Sequence, residues 1–136
     1  HPDLRHRSSE QIRAYYPTLF RELPAKFDAQ YKNPCWSKSG PRDLQCLPYA
    51  YLLGMPKCGS SDLWERLSSH PEVAAPSRKE IRWFTRGEFS EDDNYPMRWN
   101  RDETISTFTK HLTKAVGKIR AQPQSIVIDG GPHTLW

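Results

Sequence analysis

Tyr49-Ala50-Tyr51-Leu52-Leu53-Gly54-Met55-Pro56-Lys57-Cys58-Gly59-Ser60-Ser61-Asp62-Leu63-Trp64 is the stretch whose reading decides the fold. Tyr49 to Leu53 is a short apolar run between Pro48 and Gly54, the pattern of a strand covered on both faces. Gly54, Pro56 and Gly59 then punctuate the backbone and permit a sharp reversal. From Ser60 onward Leu63, Trp64 and Leu67 share one helical face, with Asp62 in the first turn. A strand that turns through glycine into a helix N-terminus gathers unpaired N–H groups around one point, where phosphate or sulfate binds well.

Working outward, His70-Pro71 ends the helix, because the residue before proline avoids helical geometry. Val73-Ala74-Ala75 reads as a brief strand, and residues 77–84 as a polar and then aromatic segment. Residues 87–101, with Glu91, Asp92, Asp93 and Pro96, read as a surface loop. A helix is expected to start near Asp102 and Glu103, with Ile105, Phe108, Leu112, Ala115 and Val116 as its buried stripe. Lys114 and Lys118 would flank its end and Gly117 would cap it. Ser125-Ile126-Val127-Ile128 is a second buried strand. The order strand, helix, loop, helix, strand is that of an α/β domain with a parallel sheet, in which ligands sit beyond the carboxyl ends of strands. Lys57 and Asp129 both fall there.

Upstream, Ser8 and Gln11 have capping-box spacing, and Ile12, Tyr15, Tyr16 and Leu19 give a helical face that Pro17 should interrupt. Residues 24–45 hold Pro24, Pro34, Gly40 and Pro41 with few aliphatics and read as loop. The expected division is therefore an N-terminal extension over 1–45 and a domain over 46–136.

The 136 residues set one domain as the ceiling; 36% are hydrophobic and 12% aromatic, enough to form a core. A net charge of +4 suits an anionic ligand, and equally an ordinary surface. The basic residues are spread along the chain, which argues against nucleic acid. No run reaches the ~20 apolar residues of a membrane span. His1, His6, His70, His111 and His133 do not cluster with cysteines at metal-ligand spacings. Cys35 and Cys46 could pair in an oxidising compartment or stay as two thiols. Cys58 lies inside the turn, with no histidine beside it in sequence to activate it as a nucleophile.

The turn lacks the Gly-Lys-Ser/Thr order of a nucleotide-triphosphate loop, since Lys57 precedes Gly59. Pro56-Lys57-Cys58-Gly59-Ser60-Ser61 instead resembles the 5′-phosphosulfate loop of sulfotransferases that use 3′-phosphoadenosine 5′-phosphosulfate (PAPS). Lys79-Glu80-Ile81-Arg82-Trp83-Phe84 resembles the Lys-Glu-x-x-aromatic-aromatic segment of the Golgi carbohydrate sulfotransferases, and residues 129–136 resemble a later run of the same family. The likeness covers roughly residues 34–136.

That resemblance implies a P-loop-like sulfotransferase fold, a parallel sheet flanked by helices, incomplete in this chain. It implies transfer of a sulfuryl group from PAPS, without a metal, to a hydroxyl of a glycosaminoglycan. Chondroitin or dermatan sulfate is the acceptor class, at the 6-hydroxyl of N-acetylgalactosamine 4-sulfate. Lys57 would meet the bridging oxygen as charge develops, and the amides of Cys58, Gly59, Ser60, Ser61 and Asp62 would cradle the phosphosulfate. Glu80 would take the proton of the acceptor hydroxyl, its basicity raised if Trp83 and Phe84 desolvate it. Lys79, Arg82, Trp83, Asp129 and His133 are candidate acceptor contacts; Asp129 and His133 stand where the family pattern has glutamate and serine. Each has a plainer alternative: a solvated turn lysine, surface charges, a core tryptophan.

The family also implies a Golgi-luminal enzyme with an upstream type II membrane anchor. It clamps the 3′-phosphate from a later strand and helix, so little activity is expected of this stretch alone. Two other readings stay open. One is a small-molecule or nucleoside kinase with an irregular phosphate loop; the other is a non-catalytic module that binds sulfated glycans through Arg78, Lys79 and Arg82.

Overall fold

A computed structural model of the chain describes residues 8–40, 42–54, 57–81 and 104–131. Arg82, Trp83, Phe84, the loop over 87–101, the expected helix start at Asp102 and Glu103, and His133 lie outside the described residues.

The chain opens on α1 (Ser9–Tyr15) and α2 (Pro17–Arg21). Ser8 Oγ accepts the Gln11 amide at 3.2 Å and Gln11 Oε1 accepts the Ser8 amide at 2.9 Å, closing the expected capping box. Pro17 begins α2 at its first position, so Tyr16 is where one helix stops and the next starts.

Residues 24–45 are not all loop. They contain β1 (Cys35–Ser37) and the first two residues of β2 (Leu44–Cys46), an antiparallel pair in which Cys35 faces Cys46 and the two are joined as a disulfide. Backbone bonds from Leu47 to Pro34 and from Lys38 to Asp43 bracket the pair, which puts Cys35 and Cys46 at a non-hydrogen-bonded position where facing side chains come nearest. The division expected between 45 and 46 thus runs through β2. Cys35, Trp36, Leu44 and Cys46 share one core with Ile105, Phe108, Leu112, Ala115, Val116, Ile119 and Val127. Glu22 reinforces this, accepting from Lys38 Nζ at 2.8 Å and from the Ser106 amide at 3.0 Å.

The expected later helix is two, α4 (Ile105–Lys110) and α5 (Thr113–Ala121). His111 and Leu112 donate to Phe108 and Thr109 carbonyls three residues back, a tightened turn that breaks the helix. The buried stripe still runs through both halves, with Phe108, Leu112 and Ile119 fully covered. Gly117 lies inside α5 rather than capping it; the helix continues to Ala121.

The first stretch supplies β3 (Ala50–Tyr51), which pairs in parallel with β4 (Ile128–Asp129) in the register Ala50 to Ile128 and Tyr51 to Asp129. On its other side the 126–129 chain bridges Val73 in parallel through Ile126. Residues 126–129 are therefore the middle of three parallel segments. Asn33, buried and remote in sequence, fixes this middle strand: its Nδ2 donates to Ser125 O at 2.7 Å and its Oδ1 accepts the Val127 amide at 2.8 Å.

Val127 faces the core under α4 and α5. Ile126 and Ile128 point the opposite way, toward Leu67 of α3 (Ser60–Ser68) across a cavity of about 350 Å³. The strand expected to be covered on both faces is instead exposed along one row. Tyr49 is 51% exposed, Tyr51 37% and Leu53 50%, and β3 has β4 on one side and no strand among the described residues on the other. Leu63 of α3 is likewise exposed.

Candidate active site

The turn after β3 is shaped by three backbone positions. A Cβ on Gly54 would sit 3.1 Å from Cys58 Sγ, so the exposed thiol closes over that glycine. Lys57 has φ 66°, a left-handed conformation that costs a side-chain-bearing residue about 1–2 kcal/mol. Gly59 caps α3 with φ 86°, and a Cβ there would meet nothing within 4 Å; conformation, not space, calls for glycine.

Leu63 is the first residue of the helix whose amide turns back, to Gly59 O at 3.2 Å. The amides of Ser60, Ser61 and Asp62 precede it and have no intrahelical acceptor, which leaves partial positive charge at this end. The Asp62 side chain is occupied along the helix, accepting from Arg66 at 2.9 and 3.2 Å. Lys57 is exposed and Ser60 buried.

A second segment, following Val73, brings Lys79 and Glu80 to the same place. Lys79 Nζ donates to Ser60 Oγ at 3.1 Å and to Ser61 Oγ at 3.0 Å, and lies 3.5 Å from Glu80 Oε1. Both side chains are mostly covered, 19% and 24% exposed, so their charges act in a partly desolvated setting. Lys79 thus stands on the turn hydroxyls, between them and Glu80. Read from the sequence it is one acceptor contact among several; nothing local signals that it reaches back to residues 60 and 61.

The third contribution comes from the end of β4. Asp129 is 2% exposed, and the amides of Gly131 and Ile81 donate to its carboxylate, the first at 3.0 Å. Burial pushes its pKa up and the nearby Glu80 charge pushes the same way, against the two amide bonds. Tyr51, its neighbour in the parallel register, keeps 37% of its surface exposed, yet partial desolvation and then the charge of Asp129 push its pKa up to about 12. Gly130 then donates to Lys79 O at 2.9 Å. A Cβ at Gly130 would come within 2.6 Å of Trp64 Cε3 and 3.0 Å of Lys79 O, so this glycine permits α3, the Lys79 segment and β4 to meet. The Gly130-Gly131 pair after a strand was the signal available in the sequence for such a close approach.

Gly59, Ser60, Ser61, Lys79, Glu80 and Asp129 therefore gather at the carboxyl ends of three parallel segments, the usual ligand position of such a sheet, with Lys57 exposed on the adjoining turn. Among the described residues no three His, Cys, Asp or Glu side chains gather as a metal site requires. No helix among them is long and apolar enough to cross a membrane. Backbone amides, the Lys79 ammonium and serine hydroxyls suit a multiply charged oxyanion, and Glu80 beside them can accept a proton.

Over 46 residues, 34% of its length, the chain is 52% identical to carbohydrate sulfotransferase 15 of Homo sapiens. Part of this chain is carbohydrate-sulfotransferase-like. The proteins of the same name from Rattus norvegicus and Mus musculus match with the same identity and extent. The matched stretch spans about 8% of the length of these relatives. No protein-family model matches the chain, and no solved structure does. The sulfotransferase likeness agrees with the family resemblance read from the loop and from Lys79-Glu80, and it concerns a sulfotransferase of sugars.

Proposed function

We propose that this chain carries the donor-loop and general-base part of a PAPS-dependent carbohydrate sulfotransferase site. The observation that carries the proposal is the meeting of Lys79 Nζ with Ser60 and Ser61 Oγ, beside Glu80, at the open end of α3, in a chain with this likeness. In the reaction the acceptor hydroxyl oxygen forms a bond to sulfur while the bond from sulfur to the 5′-phosphate oxygen breaks. Glu80 takes the hydroxyl proton, and 3′-phosphoadenosine 5′-phosphate leaves with the bonding pair. Lys57 and the amides of Gly59 to Asp62 meet the charge that develops on the departing phosphate.

The acceptor we infer is a galactosaminoglycan such as chondroitin or dermatan sulfate, at the 6-hydroxyl of N-acetylgalactosamine 4-sulfate. This is the acceptor named for N-acetylgalactosamine 4-sulfate 6-O-sulfotransferase, a family member that the loop and the Lys79-Glu80 segment resemble. The Golgi lumen fits the Cys35–Cys46 disulfide, which belongs to an oxidising compartment.

Calorimetric titration of the chain with 3′-phosphoadenosine 5′-phosphate tests the proposal. Binding is expected, weakened about tenfold or more in Lys57→Ala, as for loss of a charge-assisted phosphate contact. Preference for ATP would replace the proposal with a phosphoryl-transfer reading. Binding of chondroitin sulfate with no nucleotide affinity would replace it with a glycan-binding module.

A further inference from the structure

Asp129 follows the strand that ends at the site, and from sequence it stands among the acceptor contacts. Its place in the fold is incompatible with touching an acceptor: the residue is 2% exposed and its carboxylate already receives the Gly131 and Ile81 amides. Those bonds have a specific geometry relative to Glu80. The residue before Glu80 is tied to β4 through Gly130 N donating to Lys79 O at 2.9 Å. The residue after it is tied to the same place through Ile81 N donating to the Asp129 side chain. Glu80 is thus held on both flanks by residues 129 and 130. The same tie fixes the backbone from which Lys79 reaches the Ser60 and Ser61 hydroxyls.

We propose that Asp129 is a positioning residue of the donor site: its buried carboxylate clamps the Lys79–Ile81 segment, so that the Lys79 ammonium stays on Ser60 and Ser61 and Glu80 stays beside it. The clamp connects three elements that are far apart in sequence and leaves no slack, because Gly130 has no room for a side chain. A carboxylate serves where a neutral aliphatic residue of similar size would not, since two backbone amides need an acceptor in a buried place. The inference rests on reading the turn as a PAPS loop, and its test separates the two.

The test measures the affinity of the full chain for 3′-phosphoadenosine 5′-phosphate, with amide hydrogen exchange followed residue by residue. Asp129→Ala is expected to speed exchange at Ile81 and Gly130 while Val127 stays protected, and to weaken binding about tenfold, the cost of one lost charge-assisted bond network. Asp129→Asn, which keeps a side-chain oxygen acceptor, should restore most of both. In a Lys79→Met background Asp129→Ala should weaken binding little further, because it acts through Lys79. Unchanged exchange at Ile81 and Gly130 in Asp129→Ala overturns the clamp. So does full additivity with Lys79→Met, or an Asp129→Asn protein no better than Asp129→Ala. A native chain that binds no nucleotide overturns the donor-site reading instead and the positioning role with it, while the exchange result still reports on the clamp itself.

Discussion

At the scale of single residues the site depends on backbone conformations as much as on side-chain chemistry. Lys57 holds φ 66° without being glycine, and such strain persists where surrounding structure and function require it. Lys57→Gly is therefore expected to raise stability by about 1 kcal/mol in urea unfolding while losing nucleotide affinity, whereas Lys57→Ala loses the affinity with no such gain. A lysine that merely decorates the turn would show the first effect without the second. The sharp turn at Lys57 and Gly59 was legible in the sequence because a turn between a strand and a helix is a local pattern. Asn33 was not: the groups it pins, Ser125 O and the Val127 amide, lie at the other end of the chain. Lys79 was half legible, its proximity to Glu80 plain and its reach to Ser60 and Ser61 hidden.

At the scale of elements the informative departures are the hairpin and the broken helix. A 24–45 stretch poor in aliphatics gives little hydrophobic periodicity, so β1 and β2 leave no pattern to read. Cys35, Trp36, Leu44 and Cys46 build their core instead, and the disulfide holds the pair. Closing a loop of sequence separation 11 constrains the unfolded chain, so Cys35→Ser with Cys46→Ser is expected to cost about 2–3 kcal/mol in chemical denaturation. Reduction of the native protein should give a similar loss, and an unchanged midpoint on reduction would contradict it. The break between α4 and α5 follows from threonine chemistry. Thr109 Oγ1 donates to Ser106 O at 3.1 Å and Thr113 Oγ1 to Lys110 O at 2.8 Å, side-chain bonds that compete with the helix ladder. A periodicity count sees the apolar stripe and not this competition, which is why one helix was expected.

At the scale of the whole molecule, two carboxylates set opposite pH responses. Burial of Glu22 would raise its pKa, but bonds from Lys38, the Ser106 amide and the Ser106 and Thr104 hydroxyls prevail and bring it from 4.5 to about 2. Its stabilisation is present above the unfolded value and is lost as pH falls through the folded one. Asp129 has the reverse sign: raised by burial and by Glu80, it favours folding most below its unfolded value, and that contribution fades as pH rises through the folded one. Wild-type stability measured by urea unfolding should therefore fall between about pH 4.5 and 2, with about 1–2 kcal/mol of that fall absent in Glu22→Gln after allowance for solvent screening. Equal slopes in the two proteins would show that Glu22 does not link α2 to α4 in solution.

The parallel group has its middle segment at residues 126–129 and its neighbours at 49–52 and 72–74. During synthesis the turn at Lys57–Gly59 and α3 leave the ribosome well before the strand that must support them exists. Cys35 and Cys46, by contrast, emerge close together and can be oxidised at once. The order of emergence thus brings the two cysteines of the hairpin together early and withholds support from the turn at Lys57–Gly59 until β4 slides between its two partners. An exposed Tyr49, Tyr51 and Leu53 row is the surface that a chaperone would meet in the interval.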